Sequence, residues 1–241
     1  MSDRWSVLHL EQGALRLTLL PGIGGRLWDV TFRDRSLLFQ NPDLIGLEFD
    51  DTRLTNLPTR SPQFEFPLWG GEKTWIAPDT SWQDGAPFPT LDSGPYKITS
   101  QGDTHVELHS AVCPVSHLSV SRRISLTSGA GWLHEHQITN HGKSPRLTGI
   151  WSVMMPNTPA RIGVTSDTPA FVTVFGSADG LVETHGTCAV VDCSRRQEFK
   201  IALPNADGPT LIQYGARGPW LTCSVPNPEP TDRFAHGSPV E

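Results

Sequence analysis

The sequence predicts an all-β protein, built as one large antiparallel β-sandwich with few or no helices. Short segments in which apolar and polar residues alternate recur along the chain, as in residues 14–20 and 26–32. Turn-forming residues separate these segments, for example at 140–142 and 178–180. The 22 glycines and 21 prolines leave little room for long helices, and no window keeps a helical period beyond about two turns.

The strand predictions follow the chain from one turn signal to the next. A chain of 241 residues is long for an average domain, yet all-β sandwiches of this size often fold as one unit. We therefore expect a single domain over residues 1–241. The predicted strands are residues 14–20, 26–32, 36–40, 105–109, 117–126, 131–139, 146–155, 170–175, 188–193, 198–203 and 210–214.

Charge and hydropathy exclude several classes of function. The chain has 19 Lys and Arg against 25 Asp and Glu, a formal charge of −6, and no basic cluster that could neutralise nucleic-acid phosphates. Its apolar runs are shorter than a bilayer span, and its first residues do not resemble a secretory signal. We therefore expect a cytoplasmic protein that contacts neither nucleic acid nor membrane and that uses no cofactor and no metal.

One segment, residues 56–95, departs from the strand pattern. It is rich in proline, holds three of the eight tryptophans and contains no convincing strand. A loop of this length inside a compact domain is uncommon and, when ordered, is usually functional. The sequence therefore predicts that this loop carries the site.

The centre of this segment, residues 69–82, has the composition of a sugar-binding site. A sugar ring offers an apolar C–H face, which flat aromatic rings can cover, and a rim of hydroxyls, which charged side chains can bind. The alternative is that the tryptophans pack in the core and the charges are solvated. The candidate rings are Trp69, Trp75 and Trp82, and the candidate polar residues are Glu72, Lys73 and Asp79.

Two histidines on a predicted strand form another constellation. In His134-Glu135-His136, strand alternation places both imidazoles on one face and Glu135 on the other. The pair could belong to a half-exposed polar face, could bind a metal with a third ligand such as His117 or His236, or could provide a proton donor to the site. The sequence leaves these three interpretations open.

Three stretches of the chain resemble the galactose mutarotase-like (aldose 1-epimerase-like) superfamily, and within it an uncharacterised branch known as a domain of unknown function. They are residues 20–30, which contain Gly-Gly-Arg26, the strand that ends at residues 39–42, and Trp69-Gly-Gly-Glu-Lys-Thr-Trp75. The resemblance runs from residue 7 to the end of the chain. It implies a large antiparallel sandwich whose concave face binds a carbohydrate, with Arg26 as a donor to sugar hydroxyls.

The resemblance also implies a reaction, which is proton transfer at the anomeric carbon by a general acid and a general base. In the superfamily these groups are a histidine on a central strand and a glutamate on a late strand. This sequence has Trp151, Ser152 and Val153 where the histidine is expected, and it ends at Glu241, before the hairpin that supplies the glutamate in the related branch. We therefore expect a domain without the C-terminal strands of related proteins, and a homodimer through the exposed sheet edge.

Three functions follow from these observations: a sugar epimerase or mutarotase, a non-catalytic sugar-binding or sensing module, and an interaction domain without a sugar ligand. The first is the preferred hypothesis, with a small-molecule carbohydrate as the ligand. We expect Lys73 to lie in the concave face near Arg26, with a tryptophan as one wall. The candidate catalytic residues are His136, Asp79 and Lys73, and the candidate substrate-binding residues are Arg26, Trp69, Glu72, Trp75, Trp82 and Trp151.

Overall fold

The computed structural model describes residues 3–50, 54–59, 61, 64–82, 85–226 and 233–241. Within these residues the all-β prediction is confirmed, because seventeen strands form antiparallel sheets. The remaining regular structure is one four-residue α-helix, α1 (Pro89–Asp92), and short 3-10 turns such as Asp79–Ser81. The described part of the chain therefore has no helix that could cross a membrane.

The chain divides into two compact units, Met1–Met155 and Pro156–Glu241. Each unit has its own sheets and its own cluster of buried apolar side chains. The single domain over residues 1–241 and the homodimer that the sequence analysis expects stay predictions.

Two antiparallel sheets make up the first unit. Sheet 1 comprises β1 (Leu8–Gln12), β2 (Leu15–Leu20), β3 (Arg26–Phe32), β4 (Arg35–Ser36), β5 (Glu72–Ala77) and β10 (Gly149–Met154). Its strand order is β1-β2-β3-β5-β10, and β4 pairs with β3. Sheet 2 comprises β6 (Tyr96–Gln101), β7 (His105–Ser110), β8 (Leu118–Thr127) and β9 (Gly131–Asn140), which pair in chain order.

The core of the first unit lies between these two sheets, and strand alternation explains its composition. Leu17 and Leu19 point inward from β2 and are fully buried, as are Val120 and Ile124 on β8. Burial of each such side chain contributes about 1.5–3 kcal/mol. The same inward row of β8 also carries Arg122, whose Nη1 donates to the carbonyl just before β3 at 2.7 Å. A buried cation therefore interrupts the apolar core at this position.

The structure corrects the prediction that residues 56–95 contain no strand. Residues 72–77 form β5, which lies inside sheet 1 between β3 and β10. Both faces of this strand are covered, so Glu72 and Lys73 are both buried although they point in opposite directions. The polar–apolar alternation that marks a half-buried strand is therefore missing from its sequence.

A second correction concerns the strand predicted at residues 36–40. The structure has only the two-residue β4, followed by isolated bridges at Leu38 and Gln40. Oδ1 of Asp29 accepts hydrogen bonds from the backbone N–H of Leu38 at 3.1 Å and from the hydroxyl of Ser36 at 2.9 Å. The backbone N–H groups of Leu37 and Phe39 donate to Val30 and Met155, so the hydrogen bonds of this segment are divided among several partners.

The face of sheet 1 that points away from sheet 2, called the outer face below, is covered by residues from the long connections. Trp69 is fully buried there, and the ring of Trp5 meets the rings of Trp28 and Trp69 edge to face at 6.0 Å each. This coverage shields polar side chains on the outer face from water. The apolar cluster consists of Leu20, Ile23, Trp28, Leu44, Leu54 and Trp69.

The second unit has a five-stranded sheet and a two-stranded sheet. The larger sheet has the order β13-β14-β11-β16-β17, and the smaller one pairs β12 with β15. These strands are β11 (Ala160–Thr165), β12 (Val172–Phe175), β13 (Val182–His185), β14 (Cys188–Asp192), β15 (Lys200–Ala202), β16 (Thr210–Tyr214) and β17 (Trp220–Cys223).

Candidate functional site

Strand β5 positions two groups of ionisable side chains on opposite faces of sheet 1. Glycine allows the backbone just before β5 to pack closely against β3. Gly71 has φ +69°, and a Cβ there would lie 2.5 Å from the carbonyl oxygen of Leu27. From this start, alternation directs Lys73 and Trp75 to the outer face and Glu72 toward sheet 2. Two adjacent residues with opposite charges therefore belong to different sites.

The first group, called the lysine cluster, consists of Arg26, Lys73, Trp75, Asp92 and Ser93. Its centre is a buried ion pair in which Nη2 of Arg26 donates to Oδ1 of Asp92 at 2.8 Å, while Nη1 donates to the Gly70 carbonyl at 3.2 Å. Burial alone would raise the pKa of Asp92, but the neighbouring Arg26 and Lys73 outweigh it and hold that pKa below its usual value. Asp92 is therefore a carboxylate at neutral pH.

Every oxygen of the Asp92 carboxylate already accepts a hydrogen bond. Besides Arg26, the indole N–H of Trp75 donates to Oδ1 at 2.7 Å, and the hydroxyl of Ser93 donates to Oδ2 at 2.8 Å. The Ser93 hydroxyl in turn accepts from the indole N–H of Trp69 at 2.9 Å. These linked hydrogen bonds restrain the Asp92 carboxylate, although the buried Nε of Arg26 has no partner among the described residues.

Lys73 lies in the same cluster but contacts no oxygen within its described hydrogen bonds. Its ammonium nitrogen is 3.8 Å from the sulfur of Met155 and 4.3 Å from the ring centre of Trp75. The side chain is 2% exposed. Burial, followed by the charge of Arg26, lowers the pKa of Lys73 to about 7. Lys73 thus has Arg26 and the ring of Trp75 as neighbours, and its expected place in a concave, sugar-binding face stays a prediction.

Three half-buried tryptophans continue from this cluster along the outer face. Trp75 and Trp151 are opposite each other on β5 and β10, and Trp82 meets both rings edge to face, at 5.2 and 6.0 Å. The indole N–H of Trp82 donates to the carbonyl of Ile76 at 2.7 Å, which fixes its ring. We call Trp75, Trp82 and Trp151 the tryptophan wall. Its flat apolar rings lie beside the ionisable side chains of Lys73 and Asp92.

The second group, called the histidine cluster, lies between the two sheets and consists of Glu72, Thr74, Arg122, His134, His136 and Ser152. Oε2 of Glu72 forms an ion pair with Arg122 and is 3.0 Å from Nδ1 of His134. Oε1 accepts a hydrogen bond from the hydroxyl of Ser152 at 2.9 Å. Burial opposes ionisation of Glu72, but Arg122 and His134 outweigh it, so its pKa lies well below the usual value.

Arg122 decides which nitrogen of His134 carries the proton. Its Nη2 is 2.8 Å from Nε2 of His134, and because a guanidinium can only donate, Nε2 must be the acceptor. The neutral ring therefore carries its proton on Nδ1 and donates it to Glu72. Burial, followed by the charges of Glu72 and Arg122, leaves the pKa of His134 below its usual value, in agreement with a neutral ring.

His136 is the member of the histidine cluster whose Nε2 has no hydrogen-bond partner among the described residues. Its ring stacks on His134 at 4.1 Å, and Nδ1 shares a hydrogen bond of 2.7 Å with the hydroxyl of Thr74. Nε2 is 3.9 Å from Oε1 of Glu72, which is too long for a hydrogen bond but suits one bridging oxygen atom. Burial, followed by the neighbouring His134, lowers the pKa of His136 to about 3.

The histidine cluster also contains the donor set of a metal site. Ligand atoms of Glu72, His134 and His136 lie within 4.8 Å of one another, so the third candidate beside the two histidines is Glu72 rather than His117 or His236. The Arg122 guanidinium, however, contacts both Glu72 and His134 and brings a positive charge to this position. A metal ion would have to displace it, so the geometry favours a hydrogen-bonded cluster over a metal centre.

The predicted site residues are thus distributed over three places. The lysine cluster and tryptophan wall bring together Arg26, Lys73, Trp75, Trp82 and Trp151, and Trp69 joins them through Ser93. Glu72 and His136 meet in the histidine cluster instead. Asp79 begins the 3-10 turn Asp79–Ser81 that follows β5. A surface cavity of 370 Å³, lined by residues of β1, β2 and β3 and of the turns that follow β1 and β3, contains none of the predicted residues.

Sequence reasoning missed the partners that complete both clusters, namely Asp92, Ser93, Arg122 and Ser152. For one of them, the sequence pattern does indicate a buried charge. Arg122 occupies an inward position of a clearly alternating strand, between Val120 and Ile124. A charged residue in an apolar row of a strand indicates a buried partner. Asp92 has no comparable signal because it lies on the four-residue helix α1.

The fold and the two clusters define this chain coarsely, as an all-β protein of antiparallel sheets with buried ionisable groups. No protein-family profile matches it. A probable beta-glucosidase of Arthroderma benhamiae is 29% identical over 99 residues, which are 41% of this chain and 11% of that protein. The crystal structure of the Slr1438 protein from Synechocystis sp. PCC 6803 superimposes with a TM-score of 0.48 and 16% identity, over 87% of this chain and 73% of that one.

Proposed function

We propose that this protein binds a small carbohydrate against the tryptophan wall on the outer face of sheet 1. The observation that carries the proposal is the continuous series of Trp75, Trp82 and Trp151, three half-buried rings beside the buried polar side chains of Lys73 and Asp92. Aromatic rings cover the C–H face of a sugar, and ordered polar groups next to them fix its orientation. The partial similarity to a protein named as a beta-glucosidase supports the same ligand class.

Removal of one ring tests this proposal. We expect Trp151→Ala to weaken the binding of a sugar about tenfold or more, since loss of one aromatic contact removes about 1.4 kcal/mol. Titration calorimetry with D-galactose, D-glucose and cellobiose measures it. Trp220→Ala is the matched control, because Trp220 is 60% exposed and belongs to the second unit. Equal affinities of the two variants, or no binding of any of the three sugars by the wild type, would contradict the proposal.

A second candidate function is epimerisation or mutarotation, which is proton transfer at the anomeric carbon. The observation that favours it is the gap of 3.9 Å between Nε2 of His136 and Oε1 of Glu72, since one sugar oxygen could bridge the two groups. Thr74 holds the imidazole and Ser152 holds the carboxylate. Both groups are unprotonated at neutral pH, so the site would act by accepting a proton from a hydroxyl.

This second function makes a separate prediction. We expect the wild type to accelerate the interconversion of sugar anomers, and Glu72→Gln to reduce that acceleration by about 100-fold, the contribution of a positioned acid or base. Polarimetry of freshly dissolved α-D-galactose and α-D-glucose follows the reaction. Glu135→Gln is the matched control, because Glu135 lies on the exposed face of β9. Sugar binding without any acceleration would identify the alternative, a non-catalytic sugar-binding module.

A further inference from the structure

Lys73 is the surplus cation of the lysine cluster. The cluster holds two cationic side chains, Arg26 and Lys73, and one carboxylate, Asp92. Arg26 is the residue that forms the direct ion pair with that carboxylate, at 2.8 Å. With an ammonium at Lys73 the cluster has a net charge of +1, and with a neutral amine it has no net charge. Because an uncompensated buried charge is costly, the surroundings favour the neutral amine.

The hydrogen bonds of the cluster lead to the same result. Oδ1 of Asp92 accepts from Arg26 and Trp75 and Oδ2 accepts from Ser93, and Lys73 is not among the described donors to either oxygen. The described contacts of the Lys73 nitrogen are instead a thioether and an aromatic ring. The cation–π contact with the ring offsets only part of the hydration that a buried ammonium loses, whereas a neutral amine needs little compensation.

We infer that Lys73 is a nucleophilic amine that forms an imine with the aldehyde of a small carbonyl compound, such as the open-chain form of an aldose. The nitrogen lone pair forms a bond to the carbonyl carbon, and the carbonyl oxygen leaves as water with two protons from nitrogen. No oxidant or reductant is consumed. The lowered pKa, about 7, provides the free amine at neutral pH.

The position of the amine suits a ligand held by the tryptophan wall. Trp75 is half-buried and its ring centre is 4.3 Å from the Lys73 nitrogen, so the amine borders a residue of the wall. The choice of a sugar as the carbonyl compound rests on the proposed function. The nucleophilic amine itself does not rest on that function, because its reaction with any small aldehyde can be measured.

Competition among the four lysines of the wild-type chain tests the inference. The protein is incubated at pH 7 with D-glyceraldehyde and cyanoborohydride, which reduces imines to stable adducts, and the modified lysines are quantified by peptide mass spectrometry. At pH 7 an amine with a pKa near 7 has roughly a thousandfold larger free-amine fraction than an ordinary lysine. We expect adducts at Lys73 to form at least tenfold faster than at the exposed Lys97 and Lys143, despite the burial of Lys73.

Modification of Lys73 at a rate no greater than that of Lys97 and Lys143 would overturn the inference, because a merely structural buried lysine is protected. A second measurement repeats the labelling from pH 6 to pH 9, where the rate at Lys73 should level off above pH 7 while the rates at the other two keep rising. A third uses propionaldehyde. If both aldehydes label Lys73 at the same rate, and faster than Lys97 and Lys143, the nucleophilic amine is supported and a preference for sugars is contradicted. The two proposals can therefore fail separately.

Discussion

Replacement of Arg122 by methionine is expected to lower the free energy of unfolding of the first unit by about 3–5 kcal/mol, the cost of removing one partner from a buried ion pair. The substitution keeps much of the side-chain volume but removes the charge. Among the described residues, it leaves the Glu72 carboxylate, which is 1% exposed, with His134 and Ser152 as its hydrogen-bond partners. It also removes the donor that fixes the tautomer of His134.

Urea denaturation followed by tryptophan fluorescence measures this effect, because seven of the eight tryptophans lie in the first unit. The neighbouring Arg123→Met is the matched control. Arg123 points to the opposite face of β8, is half exposed and approaches Glu135 only to 3.8 Å, so its loss should cost less than about 1 kcal/mol. Equal losses in the two variants would show that the buried pair contributes nothing beyond an ordinary surface arginine.

A double variant separates the ion pair from the packing. Combining Arg122→Met with Glu72→Gln removes both charges, and we expect it to recover part of the stability that Arg122→Met loses. If the double variant loses more free energy of unfolding than the two single variants lose together, the charge of Glu72 is not what makes Arg122 necessary.

Alternation predicted the strands that have one covered and one open face. Predictions for residues 117–126 and 131–139 agree with β8 and β9 to within one residue at each end. On β9 the same rule placed His134 and His136 together and Glu135 apart, as the structure has them. Periodicity is reliable here because burial of one face imposes it.

Alternation failed where both faces are covered. Strand β5 carries Glu72 and Lys73 side by side in the interior, and the charged residues around each of them are distant in sequence. Arg122 is 50 residues from Glu72, and Asp92 lies on a helix of four residues. Composition drew attention to residues 69–82 because tryptophans and charges are concentrated there. It could not assign them to two sites, since that separation depends on recognising β5 as a strand.

Lys73 provides the other large expected effect, which is a dependence of stability on pH. The pKa of this group is about 7 in the folded protein and 10.5 as the ordinary value, so between these values the unfolded chain binds a proton that the folded protein does not. Stability must therefore increase as the pH rises from 7 to 10.5, and the penalty of the buried charge is fully present below pH 7. The difference of 3.5 pH units corresponds to at most about 5 kcal/mol.

Comparison with Lys73→Met isolates this contribution, since the other titrating groups are common to both proteins and cancel. We expect the variant to be the more stable protein at pH 7 and its advantage to shrink steadily towards pH 10, measured as urea midpoints at intervals of half a pH unit. Lys97→Met, at an exposed position, should show no such trend. A difference between wild type and Lys73→Met that stays constant from pH 7 to pH 10 would mean that Lys73 keeps its proton in the folded protein. That result would contradict the nucleophilic amine as well, because an ammonium has no lone pair with which to attack a carbonyl carbon.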